Sequence, residues 1–288
     1  MAPPKSIKKK SPDNKKFLYS APMTTILVGS EQERFVVHKA LLCNKSKYFT
    51  KALTGSFEES KTGIVKLDDV SPVLFRIFVT WLYDNVIRYT APDDSHNLEE
   101  DLGSIKSCDT CSQNAPDRDG DVPSTWPYCA LIELYLFGDR FDAQQFRVET
   151  IDALSYALDK QDNGMSFEEH YYICKNTSAR SPLRQFAIHR MAYTTIFKTE
   201  ELEIWSELPS EYLAQVMIEM GMRMPGELCG GCYKRGLEEN EATDLQDLGM
   251  SSETDEAPYD NDMCFYHEHA NEEERERCRD LRNTGDTD

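Results

Sequence analysis

From Thr24 onward the apolar residues fall into short runs with little slack between them. Thr24-Thr25-Ile26-Leu27-Val28 is rich in β-branched side chains, Gly29-Ser30 offers a turn, and Arg34-Phe35-Val36-Val37 follows. Together they predict a hairpin. His38 to Cys43 and Ser46 to Leu53 read as two short helices, the second broken by Gly55. Ile64-Val65-Lys66-Leu67 alternates and predicts a third strand. Ser71-Pro72 then opens a helix, because Ser can cap and Pro fits the first helical position. From Val73 to Tyr83, the residues Val73, Leu74, Phe75, Ile77, Phe78, Val79, Trp81 and Leu82 cover nearly the whole circumference. A helix apolar all round is buried, so this one is expected at the centre of the core.

Residues 91–125 change character. Asp93, Asp94, Glu99, Glu100, Asp101, Asp117, Asp119 and Asp121 mix with Pro, Ser and Gly, which predicts a mobile acidic insertion. Helical pattern resumes at Tyr128. Leu131, Leu134, Tyr135 and Phe141 share a face, and Gly138 leaves room for a close neighbour. Asp142 is expected to cap the next helix, whose apolar positions are Phe146, Val148, Ile151, Leu154 and Leu158. Ser166-Phe167-Glu168-Glu169 is a capping box. Ser181-Pro182 repeats the earlier helix start, ahead of Leu183, Phe186, Ile188 and Met191. A last helix, about Glu211 to Met220, is expected to stop at Gly221. The order is a mixed half followed by a helical half. From about Lys234 to Met263 the chain reads as acidic and irregular again.

The chain has 288 residues, enough for one large domain or two modest ones, and 40% hydrophobic residues, enough for a real core. Its net charge of -19 disfavours nucleic acid and anionic membrane as partners. No stretch approaches the roughly 18 apolar residues of a membrane span. Met1 to Lys16 is basic without an apolar centre, so a secretory signal is not expected. That head reads as a solvated tail or, alternatively, as a nuclear-import address. The expected location is therefore the cytoplasm and/or the nucleus. There the nine cysteines would be thiols or metal ligands.

Phe35-Val36-Val37-His38-Lys39-Ala40-Leu41-Leu42, Ser46-Lys47-Tyr48-Phe49, Phe57-Glu58-Glu59-Ser60 and Phe78-Val79-Thr80-Trp81-Leu82-Tyr83 follow one another within about fifty residues. That order and those words resemble a BTB/POZ domain, a protein-interaction fold. Leu131-Ile132-Glu133-Leu134-Tyr135-Leu136-Phe137-Gly138-Asp139-Arg140-Phe141 resembles the helix after the sheet in fungal members of the family. The resemblance runs from about Thr24 to Ile87 and resumes at Leu131. It implies an α+β chain: a BTB/POZ fold, with a small mixed β-sheet flanked by α-helices, followed by a helical C-terminal extension. The expected division is 1–19, disordered basic tail; 20–160, BTB/POZ domain with the acidic insertion at 91–125; 161–225, helical extension; 226–288, acidic Cys/His-containing tail. Thr24-Thr25 stands where the family usually shows Asp before its first strand, a residue that often serves its dimer interface.

The resemblance implies an interaction module and no enzyme. Family members self-associate as homodimers or bind a cullin scaffold of ubiquitin ligases, and cullin binders carry a hydrophobic-x-Glu word that Phe57-Glu58-Glu59 fits. Phe57 would be a desolvated anchor and Glu59 a directed polar contact. The alternative is that Phe57 only plugs the domain edge and Glu59 is solvated. The expected role is an adaptor that recruits a client. The competing class is a nuclear transcriptional co-regulator with no DNA contact of its own. His38 and Lys39 occupy the family's His-Lys pair, where the histidine is expected to be structural, its ring bonded to backbone. Cys43, Cys129 and Cys174 read as core thiols.

Cys229-Gly230-Gly231-Cys232 lets two sulfurs reach one metal, and Cys264-Phe265-Tyr266-His267 supplies a second pair. Cys229, Cys232, Cys264 and His267 are therefore the candidate ligands of a structural zinc ion, with His269 and Cys278 as alternative ligands; the other reading is that they are unpaired surface thiols in a frayed tail. Cys108-Asp109-Thr110-Cys111 has no close second pair. The sequence shows no phosphate-binding glycine loop, no Gly-x-Ser-x-Gly and no His-Glu-x-x-His. Glu272-Glu273-Glu274 interleaved with Arg275, Arg277 and Arg279 predicts a solvated helix.

Overall fold

The hairpin forms as its β-branched residues dictate. In the computed structural model, which describes residues 22–105, 118–161, 164–195, 202–223 and 258–283, β1 (Met23–Val28) and β2 (Glu33–His38) are antiparallel, with Ile26 opposite Phe35. Gly29 turns the chain at φ +76°, a conformation that side chains resist. β3 (Ile64–Leu67) runs parallel to β1 on its other edge, so the sheet is mixed, in the order β2-β1-β3. Alternation sorts the side chains. Ile26, Val28, Val37, Val65 and Leu67 are buried beneath the sheet, while Met23, Val36 and Ile64 are exposed on its outer face.

Three short helices carry the chain from β2 to β3: α1 (Lys39–Lys45), α2 (Lys47–Thr54) and α3 (Glu58–Thr62). Ser46, between the first two, caps α2 by accepting the Phe49 N–H at 3.2 Å, and its hydroxyl donates to the Phe141 carbonyl far along the chain. The Lys39 ammonium donates to the Leu53 carbonyl at 2.7 Å, satisfying the end of α2. Gly55 ends α2 at an ordinary negative φ. Its role is space, since a Cβ there would lie 2.4 Å from the Lys51 carbonyl oxygen.

α4 (Pro72–Asp84) is the buried rod that its circumference predicts: Val73, Leu74, Phe75, Ile77, Phe78, Trp81 and Leu82 are all buried. Ser71 makes no side-chain cap, so the start rests on Pro72, whose missing N–H needs no partner there. The acidic stretch departs from expectation in its first part. α5 (Leu98–Gly103) forms within it, capped by Asn97 accepting the Glu100 N–H at 2.8 Å, and Leu102 and Ile105 are buried. The Tyr89 hydroxyl donates to the Asp101 carboxylate at 2.6 Å, with Arg76 3.6 Å away. The remainder, 106–117, lies outside the described residues, as does the basic head at 1–19.

α6 (Tyr128–Arg140) and α7 (Gln144–Gln161) meet at a tight corner. A Cβ on Gly138 would stand 2.9 Å from Arg147 Cγ and 3.1 Å from Phe146 Cδ1, so the close neighbour is α7 itself. Asp142 was expected to cap α7; instead it turns the chain at φ +48° and pairs with Lys47 at 3.7 Å. Phe137 and Phe146 reach Phe78 at ring separations of 5.1 and 5.3 Å, and Phe146 reaches Trp81 at 5.0 Å. Phe141 stacks on Phe49 at 5.4 Å. The mixed half and the helical half therefore share one aromatic core.

The helical half adds α8 (Phe167–Asn176), α9 (Pro182–Thr194), α10 (Leu202–Trp205) and α11 (Ser210–Arg223). The Ser166–Glu169 capping box is fully made. α11 runs through Gly221 instead of stopping there; Met222 and Arg223 are good helix formers, and nothing forces the chain out. After residues 224–257, which are not described, come α12 (Pro258–Asn261), a 3-10 turn at Met263–Tyr266 and α13 (Glu272–Asn283). Tyr259 and Tyr266 join the main core. α13 is less solvated than its charges suggest, because Arg275 and Arg279 converge on Asp262 at 3.0 and 2.5 Å.

Removing the ring at the centre of the core should be costly. Phe78→Ala is expected to lower unfolding free energy by about 3–5 kcal/mol, read by denaturant titration. A loss under about 1 kcal/mol would mean that the rings around it do not depend on it.

The capping box makes a pH signature. Burial pushes the Glu169 carboxyl up to about 7 from its usual 4.5, so the folded chain holds a proton that the unfolded chain has lost. That contribution is complete below pH 4.5 and disappears as pH rises through about 7. His170 has the opposite sign: burial lowers its pKa from 6.5 to about 3, so its contribution is complete above 6.5 and is lost on acidification. Glu169→Gln keeps an acceptor for the Ser166 N–H and removes one titration. Its stability should therefore fall less than that of the wild type between pH 4.5 and about 7. Parallel pH curves would contradict this assignment.

Candidate functional site

Phe57 leads into α3, and its ring lies over Gly55, 3.2 Å from where a Cβ would be. The side chain stays 59% exposed. Glu59 sits in the first turn of α3, half-buried, and Gly63 closes that helix at φ +67° with its N–H on the Glu59 carbonyl at 2.9 Å. Tyr48, 38% exposed, packs edge-on against Phe49 and Phe141 at 5.2 and 5.1 Å. Burial raises the Tyr48 hydroxyl's pKa; Arg140 acts to lower it, and the carboxylates of Glu59 and Asp69 to raise it. Those charges therefore share its surroundings. Arg140 pairs with Asp69 at 2.8 Å. Beside that pair opens a cleft of about 290 Å³, lined by Asp69, Ser71, Leu74, Glu133, Arg140 and Tyr172 among others. The result is an aromatic surface with charges of both signs, carried by α2, which is capped at both ends, and by α3, which Gly63 closes.

His38 is held structurally, by a partner that the sequence did not announce. Its Nδ1 bonds the Tyr83 hydroxyl at 2.7 Å, and its backbone N–H donates to the same oxygen at 3.2 Å. The expected backbone partner for the ring is replaced by this tyrosine from α4. Cys129 and Cys174 are buried thiols, as expected, and Cys43 is half-buried, its pKa raised by burial. Among the described residues, no serine, threonine or cysteine side chain is hydrogen-bonded to the His38 ring, whose partner is the Tyr83 hydroxyl.

Of the residues expected to hold metal, Cys264 and His267 lie together at the 3-10 turn, both buried, while Cys229 and Cys232 lie outside the described residues. The structure brings His269 and Cys278 to Cys264 and His267. One ligand atom from each of the four lies within 4.8 Å of all the others. His267 Nδ1 is 3.3 Å from the Cys278 sulfur, and its Nε2 meets Asp152 Oδ1 of α7 at 2.8 Å. The two elements that carry the cluster are also tied to the domain directly. The Glu268 carboxylate pairs with Arg147, its carbonyl accepts from Gln144, and the Tyr266 hydroxyl bonds His189 Nδ1 at 2.7 Å. Sequence reasoning missed Asp152, one carboxylate among 51 acidic residues with no local motif to mark it.

A small mixed sheet packed on a buried central helix, with an exposed aromatic surface on the short helices beside it, is the arrangement of the N-terminal half. Residues 15–105 match the family model of the BTB/POZ domain. The chain carries a BTB/POZ domain, a protein–protein interaction module. The matched segment ends just after α5, but the core does not: Phe137, Phe141 and Phe146 beyond it complete the packing around α4. Among the described residues no helix is long and apolar enough to cross a membrane.

Proposed function

We propose that the chain is a non-catalytic adaptor. Its BTB/POZ domain would hold one protein through the Phe57–Glu59 face, with a cullin scaffold of ubiquitin ligases as the partner class, and another surface would hold a client. The observation that carries this reading is the 59% exposure of Phe57 at the N-cap of α3, a single-turn helix closed at its other end by Gly63. A rigidly presented aromatic loses little freedom on binding and gains its full desolvation. Glu59 and Tyr48 beside it supply a carboxylate and a hydroxyl for directed contacts. The outer face of the sheet, with Met23, Val36 and Ile64 exposed, is the surface offered to a second copy. The net charge of -19 favours proteins with basic surfaces over nucleic acids.

Capture by a panel of immobilised purified cullins tests the reading. Wild type should be retained by at least one of them, and Phe57→Ala should weaken that binding by about 2 kcal/mol, roughly thirtyfold. Glu59→Ala should cost less, since a carboxylate contact exchanges hydration for a hydrogen bond and its net gain is small. Equal capture of wild type and both variants would remove this face from the mechanism, and no capture of wild type would remove the cullin.

A further inference from the structure

We propose that Cys264, His267, His269 and Cys278 bind one zinc ion, which fastens the 3-10 turn and α13 to each other and, through Asp152, to α7. This inference is independent of the adaptor reading. It rests first on geometry. Four ligand atoms within 4.8 Å of one another nearly reach the spacing that a tetrahedral ion needs, with Zn–S bonds of about 2.3 Å and Zn–N bonds of about 2.0 Å. Two thiolates and two imidazoles form a donor set that suits zinc and that oxygen-seeking ions would not choose.

The second support is the hydrogen bonding of the two imidazoles. His267 commits Nε2 to the Asp152 carboxylate at 2.8 Å, which leaves Nδ1 facing the Cys278 sulfur and the cluster. A histidine held by a carboxylate on one nitrogen while the other faces a metal is the usual way to fix ring orientation and raise basicity. His269 Nε2 is buried and makes no hydrogen bond. An orphaned buried nitrogen costs free energy unless something occupies its lone pair, and a metal ion would do so. A cleft of about 460 Å³, bordered by Gln144, Glu268, His269 and Cys278, gives an ion a route from solvent.

The third support is the way the sequence reaches this arrangement. Cys264 and His267 lie in and just after one tight turn, His269 follows two residues on, and α13 folds back so that its middle presents Cys278. All four ligands lie within a short stretch, so the site closes without Cys229 or Cys232. Metal binding would then be folding energy for this end of the chain. Its loss should loosen the segment from α12 through α13 while the sheet and α4 persist.

Full-length protein purified in chelator-free buffer should contain one zinc per chain by plasma mass spectrometry. Cys278→Ser and His269→Ala should each lose most of it, whereas the Cys229→Ser/Cys232→Ser double variant should keep it. Because a ligand variant can fail to fold, wild type stripped with a chelator and reloaded with cobalt(II) gives a second readout. It should develop the intense visible ligand-field bands of a tetrahedral thiolate site and regain protease resistance after residue 257. Wild type without zinc, a Cys264–Cys278 disulfide by mass, or metal lost from the double variant and kept by Cys278→Ser would each overturn the assignment.

Discussion

The sheet, α4 and the α6–α7 corner lean on one block of interlocked rings. Phe49 from α2, Phe75, Phe78 and Trp81 from α4, Phe137 and Phe141 from the end of α6, and Phe146 from α7 meet in stacked and edge-on pairs. Each ring hides a large apolar area and adds a directional contact, so their order specifies one packing among many. The close α6–α7 corner exists because Gly138 leaves room for Phe146 and Arg147 to enter. With α4 packed between the sheet and α7, the short helices α2 and α3 rest against the same ring block through Phe49. A packed support of that kind suits a binding surface, since ordering costs are met before the partner arrives.

Polar groups around the block are paired rather than left exposed to an apolar wall. The Trp81 indole N–H donates to Glu149 at 2.7 Å, and Lys45 stands 4.6 Å over the same ring. Burial raises the Glu149 pKa and lowers that of Lys45, the directions expected when charges are moved away from water. Arg190 does similar service in the helical half, reaching Asp159 at 2.6 Å and covering the Tyr259 ring at 4.3 Å. Through Tyr259 and Tyr266 the chain's last described segment becomes part of the core instead of an appended tail.

What could be read from residues alone was whatever had a short period. The hairpin, the two short helices after it and α4 were legible because their patterns repeat within a few residues. α5 was not, since Leu98, Leu102 and Ile105 form a single stripe inside a run whose composition is acidic; averaging over 91–125 conceals spacing. Gly221 misled because glycine permits a stop without requiring one. Long-range partners were invisible in principle: Tyr83 under His38, Asp152 against His267 and Arg147 beneath Glu268 are set by packing, and nothing local marks them. The Cys/His end was half legible. The Cys264-x-x-His267 word was legible, Cys229 and Cys232 lie outside the described residues, and the return of α13, which places Cys278 beside His267, was not marked by any local pattern. The fold thus came from pattern, and the grouping of His269 and Cys278 with Cys264 and His267 came from tertiary geometry.

The central claim is that the ring block makes the BTB/POZ segment and the helices beyond it one cooperative unit. Native-state hydrogen exchange in rising denaturant tests it most directly. Amides of β1, α4 and α7 should converge on a single opening free energy, equal to that of global unfolding. If α7 opened at a distinctly lower free energy while β1 and α4 stayed protected, the two halves would be separate units and the account would be contradicted.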